Sequence, residues 1–229
     1  MPRNRGTEPA GEADAIRSGG MSGAGSSATD PIVAAAIGIL ETDGYDAVTL
    51  REVARRARVS LGTIYKRFPT QRERDLRTRD ALISAAIETW IAAHIEIDVE
   101  PPSPDESVYD GLMRMLRALF EPWARRPRML EAYHRVTGSP HGAALHASTF
   151  SLVAPVGLRV LDGLDPTYVD DVHTILGDAC DAAIARFAEG HIEATDILPR
   201  LERTVYRLTA DNAATTAPRP EARPPRAAV

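Results

Sequence analysis

The segment VSLGTIYKRF, residues 59–68, places hydroxyl, phenolic and cationic side chains close together on a short predicted helix. Groups of this kind hold phosphate oxygens, and an exposed helix can reach base edges in a DNA major groove about 12 Å wide. Gly62 would let the backbone approach another molecule closely, at a cost of about 1 kcal/mol in helix propensity. The chemistry of this segment therefore suits double-stranded DNA.

Charge is unevenly distributed along the 229-residue chain. Residues 49–80 include ten basic and four acidic residues, a net charge of +6, which leaves −11 for the rest of a chain whose total is −5. Such asymmetry favours a basic binding surface attached to an acidic protein. A solvated helical face would give the same pattern, so charge alone does not choose between the two.

The spacing of apolar residues predicts the helices that carry this segment. A first helix begins at Asp30-Pro31, an N-cap followed by the preferred first helical residue, and ends at Gly44. Thr49 and Glu52 form a capping-box pattern at the start of a second helix. A third begins at Ser60 and ends at Phe68, because Pro69 disfavours helical geometry in the residue before it. Two short helices joined by RARV predict a helix-turn-helix.

The rest of the chain also has helical periodicity. A fourth helix is predicted from Thr70 to about Asp98, followed by the proline-rich loop VEPPSPDES. Longer helices are predicted over about 108–123, 127–136, 141–164, 166–188 and 194–210. No alternating strand pattern of useful length occurs, so the predicted fold is all-α. Residues 1–28 and 213–229 have the composition of disordered tails.

Several classes of protein are disfavoured. The chain has no stretch of 18 apolar residues and no secretory signal, so we expect a cytoplasmic protein without a membrane partner. Cys180, the single cysteine, cannot form an intramolecular disulfide. The six histidines show no HExxH motif, and neither a Gly-x-Ser-x-Gly motif nor a glycine-rich phosphate loop occurs. We therefore predict no catalytic residues, no metal and no cofactor.

Residues 30–77 resemble the DNA-binding domain of the TetR family of bacterial transcriptional repressors. The resemblance rests on GYDAVTLREVARRARVSLGTIYKRFPTQRERDL, with its Gly-Tyr-x-x-Val-Thr entry, its Val-Ser-x-Gly-Thr-x-Tyr helix and its Phe-Pro stop. It implies a helix-turn-helix DNA-binding domain at 29–77 and a helical ligand-binding and dimerisation domain at 78–212. The residues and the resemblance together predict DNA contacts by Thr49, Arg51, Ser60, Leu61, Gly62, Thr63, Tyr65, Lys66, Arg67, Gln71 and Arg72.

One segment departs from the family pattern. Family members often have Ser-Lys-Glu after Phe-Pro, with the lysine on a phosphate, whereas this chain has Thr70-Gln71-Arg72. Whether Gln71 or Arg72 takes the place of that lysine stays open at this point.

The resemblance further implies a homodimer that places one recognition helix of each subunit on a pseudo-palindromic operator. The last two predicted helices carry an apolar stripe that could form the interface, although internal core would give the same stripe. The candidate interface residues are Val172, Leu176, Ala183, Leu201, Val205 and Leu208.

Family members bind a small effector among their middle helices, and an apolar cavity here would suit a steroid or an acyl thioester. The candidate lining residues, each of which could instead be plain core, are Trp90, His94, Met115, Leu119, Trp123, Met129, Tyr133 and Phe150. The segments ARRPRMLEAYHR and EATDILPRLERTVYRL also resemble the KstR-like branch of the family, which controls cholesterol and steroid breakdown.

Two other functions stay open beside a ligand-responsive regulator. An all-α enzyme would need converging polar groups that no motif in the sequence predicts. An architectural DNA-binding protein without an effector would need fewer helices than the large second half supplies. Repression is the default of the family, but the residues do not distinguish repression from activation.

Overall fold

The computed structural model describes residues 29–69, 74–97 and 106–210. Within these ranges the chain forms nine α-helices and two 3₁₀ turns, Tyr45–Ala47 and Ala194–Asp196, and no strand, which confirms the all-α prediction. The helices are α1 Pro31–Thr42, α2 Leu50–Ala57, α3 Leu61–Arg67, α4 Arg74–His94, α5 Val108–Arg125, α6 Pro127–Thr137, α7 Pro140–Val160, α8 Pro166–Ala188 and α9 Ile197–Thr209. The predicted tails and the predicted contacts Gln71 and Arg72 lie outside the described residues.

Short polar side chains begin the helices where the sequence predicts them. Asp30 accepts a hydrogen bond from the Ile32 amide at 2.9 Å, and Thr49 accepts one from the Glu52 amide at 3.1 Å. Such N-caps typically contribute about 1 kcal/mol each. The capping box at Thr49 is only half formed, however, because the Glu52 carboxylate binds Arg55 and Arg56 instead of returning to the Thr49 amide.

The N-terminal helices enclose a small apolar centre. Val48, Val53 and Ile64 are fully buried there, and Phe68 is nearly so. α4 continues the same core toward the rest of the chain, since it packs against α1, α6 and α7. It therefore connects the N-terminal helices to the C-terminal ones.

The C-terminal helices form one connected set. α5 packs against α6, α7 and α9, and α8 packs against α6 and α9. The division of the chain at residue 77 stays a prediction, and α4 spans it.

Gly142 permits a close approach between the first turn of α7 and the end of α6. A Cβ atom at this position would lie 1.9 Å from the Val136 carbonyl oxygen and 2.4 Å from the Thr137 Cα atom. Because backbone cannot yield as a flexible side chain can, we expect Gly142→Ala to lower the free energy of unfolding by about 3 kcal/mol. Urea denaturation measures this loss.

Gly138→Ala in the same turn is the matched control. A Cβ atom there meets no atom within 4 Å, and we expect a change within about 0.5 kcal/mol. Equal stability of the two variants would contradict the close approach.

One helix bears on the expectation that no segment spans a membrane. Residues Gly142–Val160 of α7 form one helix long and apolar enough to cross a membrane, with a mean hydropathy of 1.2. A single helix of this kind is weak evidence for a membrane span, although little of it is buried. α7 packs against α4, α5 and α6, and several of its remaining apolar side chains line the cavity described below. The expectation of no membrane partner stays a prediction.

Candidate nucleic-acid interface and cavity

α3 exposes one face and buries the other. The Ser60 hydroxyl caps it by accepting from the Thr63 amide at 3.1 Å, as predicted. Gly62 and Thr63 are exposed in its first turn, whereas Ile64 is fully buried. The first turn of the helix therefore exposes only small side chains, while Ile64 on the opposite side packs into the core.

The hydroxyl of Thr49 lies at the start of α2. Its oxygen is occupied as an acceptor for the Glu52 amide, so its own hydrogen stays available for a phosphate oxygen. The N-terminus of a helix also carries a partial positive charge that favours an anion. Thr49 is thus well suited to the predicted phosphate contact.

Several cations near these helices form no ion pair with the described residues. Arg51 is exposed in the first turn of α2, and Lys66 is exposed in the last turn of α3. Arg58 and Arg77 are likewise exposed and unpaired among the described residues. These four residues carry positive charge that DNA phosphates could use.

Other basic residues of the segment already have acidic partners. Arg55 and Arg56 hydrogen-bond to Glu52, and Arg56 also to Asp43. These bonds, that of Arg55 first, hold the pKa of Glu52 at about 2. The net charge of +6 therefore overstates the positive charge that is free for a partner.

Arg67 binds within the protein in the absence of DNA. Its Nε atom donates to Asp30 at 3.1 Å, which joins α3 to the cap of α1. Its predicted contact with DNA would require this exposed ion pair to break or to be shared, and such pairs contribute only about 0–1 kcal/mol.

Leu61 and Tyr65 are half-buried and pack against the core. Tyr65 is therefore a packing side chain that also remains partly accessible, so its predicted phosphate contact stays a prediction.

Arg58 ends α2 in the left-handed backbone conformation, with φ 56°. Glycine is the usual residue for this conformation at the end of a helix, because a Cβ atom is unfavourable there. The chain instead places an exposed cation in the turn between α2 and α3.

The structure shows a contact between α4, α6 and the turn before α2 that the sequence does not predict. Arg79 of α4 donates to the backbone carbonyls of Tyr45 and Val48, each at 2.6 Å, and its guanidinium lies 4.2 Å from the centre of the Tyr45 ring. Arg135 of α6 lies over the same ring at 4.6 Å and donates to Asp46 at 2.8 Å. We call Tyr45, Asp46, Arg79 and Arg135 the Tyr45 junction.

A second connection joins α1 to the later helices. Glu41 accepts from the Trp90 indole at 3.1 Å and lies 3.4 Å from the Arg126 guanidinium. Trp90 in turn packs against Trp123 with ring centres 4.6 Å apart. The N-terminal helices are thus held to α4, α5 and α6 by polar contacts on two sides.

A cavity of about 400 Å³ lies among α5, α6, α7 and α8. Its exposed lining residues all come from α7 and α8, so it opens between these two helices. Phe150 of α7 and His173 of α8 meet edge to face across the opening, with ring centres 5.2 Å apart. The volume falls within the range typical of small-molecule sites.

Most of the predicted lining residues reach this cavity. Met115, Leu119, Trp123, Tyr133 and Phe150 line it. The prediction is wrong for Trp90, His94 and Met129 as lining residues of this cavity. Trp90 lies behind Trp123, His94 stacks on Trp90, and Met129 is fully buried in the core.

The sequence-based prediction missed the whole contribution of α8 to the cavity. Val172 and Leu176, assigned to a dimer interface, line the cavity instead. Ala183, Leu201 and Val205 are buried within the monomer, so their side chains are not on its surface. Leu208 is half-buried. Whether the chain dimerises stays a prediction, but an interface on α8 and α9 must use their outer faces.

Cys180 lies in the cavity wall. Burial, and less strongly the negative charge of Asp181, raises the pKa of its thiol to about 12. At pH 8 this leaves roughly a thousandfold less thiolate than an unperturbed cysteine has. We expect a disulfide reagent such as dithionitrobenzoate to react slowly with the folded protein and rapidly in guanidinium. Fast reaction of the folded protein would contradict the burial of the sulfur.

Among the described residues, no three histidine, cysteine, aspartate or glutamate side chains lie close enough together to hold a metal ion.

Comparisons with known proteins agree with this architecture. The model of the tetR family of bacterial regulatory proteins matches residues 32–73, and that of the tetracyclin repressor-like C-terminal domain matches residues 106–208. The HTH-type transcriptional repressor KstR of Rhodococcus jostii (strain RHA1) is 26% identical over 185 residues, 79% of this chain and 82% of that protein. This similarity confirms the resemblance to the KstR-like branch.

A solved structure supports the fold. The crystal structure of a TetR transcriptional regulator from Rhodococcus sp. RHA1 superimposes with a TM-score of 0.57 at 19% identity, covering 78% of this chain and 95% of the other. The two family models match the helix-turn-helix on one side of α4 and the cavity-forming helices on the other. The chain belongs to the TetR family of bacterial transcriptional regulators, with a helix-turn-helix as its DNA-binding element.

Proposed function

We propose that the protein represses transcription by binding a pseudo-palindromic operator as a homodimer, and that a small hydrophobic ligand in the cavity releases it. The observation that carries the proposal is α3, which exposes Gly62 and Thr63 at its N-terminus while Ile64 anchors its opposite side. Its similarity to a protein named as a transcriptional repressor supports repression.

In this proposal α3 enters the major groove with its N-terminal turn toward the base edges. Thr49, Arg51 and Lys66 hold phosphates on either side and so fix the position of the helix. Arg58 and Arg77 are two further exposed cations on the same part of the chain. Gln71 and Arg72 stay proposed contacts of the segment before α4.

The homodimer would use the outer faces of α8 and α9. Ile175 of α8 is 46% exposed and Tyr206 of α9 is 56% exposed. Large apolar side chains that are exposed on neighbouring helices favour contact with another protein chain. Exposed arginines of α9, Arg200 and Arg203, could face acidic side chains of a second copy. Charge complementarity of this kind favours correct pairing of the two chains.

Ligand release would work through α6. Tyr133 of α6 lines the cavity, and Arg135 two residues later is part of the Tyr45 junction. A ligand that moves α6 therefore changes the support of the turn that leads into α2. Such a ligand weakens DNA binding only if it binds the released conformation more tightly than the DNA-bound one.

Fluorescence anisotropy with labelled duplexes from upstream of this gene and its neighbours tests the proposal. We expect saturable binding that weakens with added salt, with a slope set by the number of phosphate contacts. Arg51→Ala should weaken binding and reduce the slope of log affinity against log salt by about one per chain, or about two for the dimer. Arg117→Ala, an exposed arginine on α5, is the control and should leave the slope unchanged.

Two results would contradict the proposal. An unchanged affinity and slope in Arg51→Ala would remove α2 from the interface. The absence of saturable binding to every upstream duplex, by a folded protein, would count against a regulator of adjacent genes.

A further inference from the structure

The cavity is largely apolar, and besides Thr149, His173 and Thr174 its lining has two polar groups that differ in position. Tyr133 and His146 form a polar pair in the wall made by α6 and α7, with 3.1 Å between the tyrosine hydroxyl and the histidine Nδ1 atom. Asp178 and Asp181 lie on α8 among the exposed lining residues. The cavity thus has a hydrogen-bonding pair on one wall and two carboxylates at its opening.

No permanently charged cation balances these carboxylates in the described lining. Of the described residues that line the cavity, none is arginine or lysine. A carboxylate or phosphate on a ligand would therefore find no fixed positive partner in the described wall. It would also lie close to the carboxylates of Asp178 and Asp181, and like charges repel most strongly where water is partly excluded.

The field of Asp181 reaches into the cavity. Burial raises the pKa of the Tyr133 hydroxyl to about 12; a hydrogen bond with Thr149 opposes this shift, and the charge of Asp181 on the neighbouring helix adds a smaller rise. The same carboxylate adds to the raised pKa of Cys180. Both groups are shifted toward their neutral forms, as expected in a space of low dielectric and negative potential.

The polar pair can hold an oxygen atom of a ligand. When the Tyr133 hydroxyl donates to Nδ1 of His146, the imidazole carries its proton on Nε2, which is left as a donor. A hydroxyl or carbonyl oxygen of a ligand can accept this bond without bringing any charge into the cavity. The remaining wall, including Leu116, Phe120 and Ile184, suits an apolar body.

We propose that the ligand of this cavity is an uncharged, largely apolar molecule with a hydroxyl or carbonyl oxygen, and that Asp178 and Asp181 select against anionic molecules of the same shape. The inference rests on the proposed function only in taking the cavity as the ligand site. It narrows the ligand class, because a free carboxylate inside the cavity is disfavoured whereas a neutral steroid or a long-chain alcohol is accepted.

Binding of matched probes to the full-length protein tests the selectivity. The probes are 1-dodecanol, kept below its solubility limit, and dodecanoate, kept below its micelle-forming concentration. Trp123 lines the cavity and Trp90 packs against it, and these are the two tryptophans of the chain, so intrinsic fluorescence reports occupancy. We expect dodecanol to bind about tenfold more tightly than dodecanoate.

A double variant identifies the residues responsible. Asp178→Asn/Asp181→Asn should bring the two affinities within about twofold of each other. Asp170→Asn/Asp171→Asn is the control, because these aspartates are exposed on the same helix but do not line the cavity. It changes the net charge equally and should preserve the tenfold difference. Thermal melting confirms that both variants fold.

The possible results separate this inference from the proposed function. Equal or tighter binding of dodecanoate by the unaltered protein overturns the inference. A preference for dodecanol that the control variant abolishes as fully as the cavity variant also overturns the assignment to Asp178 and Asp181. If no probe binds, the cavity does not take apolar chains and the inference fails, while operator binding in the anisotropy experiment still supports the DNA-binding role.

Discussion

Gly62→Leu is expected to abolish operator binding while leaving the free energy of unfolding unchanged or slightly higher. A Cβ atom at Gly62 meets only the Ser60 hydroxyl, at an ordinary 3.5 Å, and the residue is exposed. Leucine is also the better helix former by about 1 kcal/mol. In the proposed complex, however, the added side chain stands between α3 and the major groove.

The expected loss is about 100-fold or more in affinity, because displacing the helix removes base contacts worth about 1–3 kcal/mol each. Anisotropy gives the affinity and urea denaturation gives the stability. Gly38→Ala on α1 is the control, since a Cβ atom there meets nothing within 4 Å. Affinity retained by Gly62→Leu would show that DNA does not approach this part of α3.

Arg79→Met is expected to lower both the stability of the protein and its affinity for DNA. The guanidinium donates to the Tyr45 and Val48 carbonyls at 2.6 Å each, and the side chain is only 18% exposed. Hydrogen bonds from a charged donor contribute about 1.5–3 kcal/mol each. Methionine keeps the stem of the side chain but leaves both carbonyls without this donor, so we expect a loss of about 2–4 kcal/mol.

The effect on DNA binding follows from the place of these carbonyls. They lie in the turn that positions Thr49 and the start of α2, so loosening the turn loosens a proposed phosphate contact. Arg77→Met, an exposed arginine half a turn away on α4 without an ion pair among the described residues, should change the stability by less than about 0.5 kcal/mol. Stability of Arg79→Met within that margin would show that the Tyr45 junction is not a structural connection.

The sequence predicts the DNA-binding helices well because their determinants are local. Asp30, Thr49 and Ser60 cap helices within three residues of themselves, and Pro69 stops α3 through its own ring geometry. The segment is short, so its apolar residues, such as Ile64 and Phe68, can be buried in only one core. Local chemistry therefore leaves little freedom in the helix-turn-helix.

The cavity and the junction depend on contacts that no local pattern encodes. The apolar stripe of α8 could face a partner chain or the interior, and Val172 and Leu176 show that it faces the cavity. Some contacts join residues that lie far apart along the chain, namely Asp30 with Arg67 and Tyr45 with both Arg79 and Arg135. The number of arginines in the sequence does not indicate which of them form ion pairs within the folded protein.

Selection of bound duplexes from a random DNA pool tests the central claim most directly, because it requires no knowledge of the operator. The account predicts enrichment of a pseudo-palindrome whose half-sites lie about one helical turn, or a multiple of it, apart, with two protein chains on each duplex. The same selection with Gly62→Leu should enrich nothing. Recovery of the same sequence by the folded Gly62→Leu variant, or no enrichment by the unaltered protein, would contradict DNA recognition by α3.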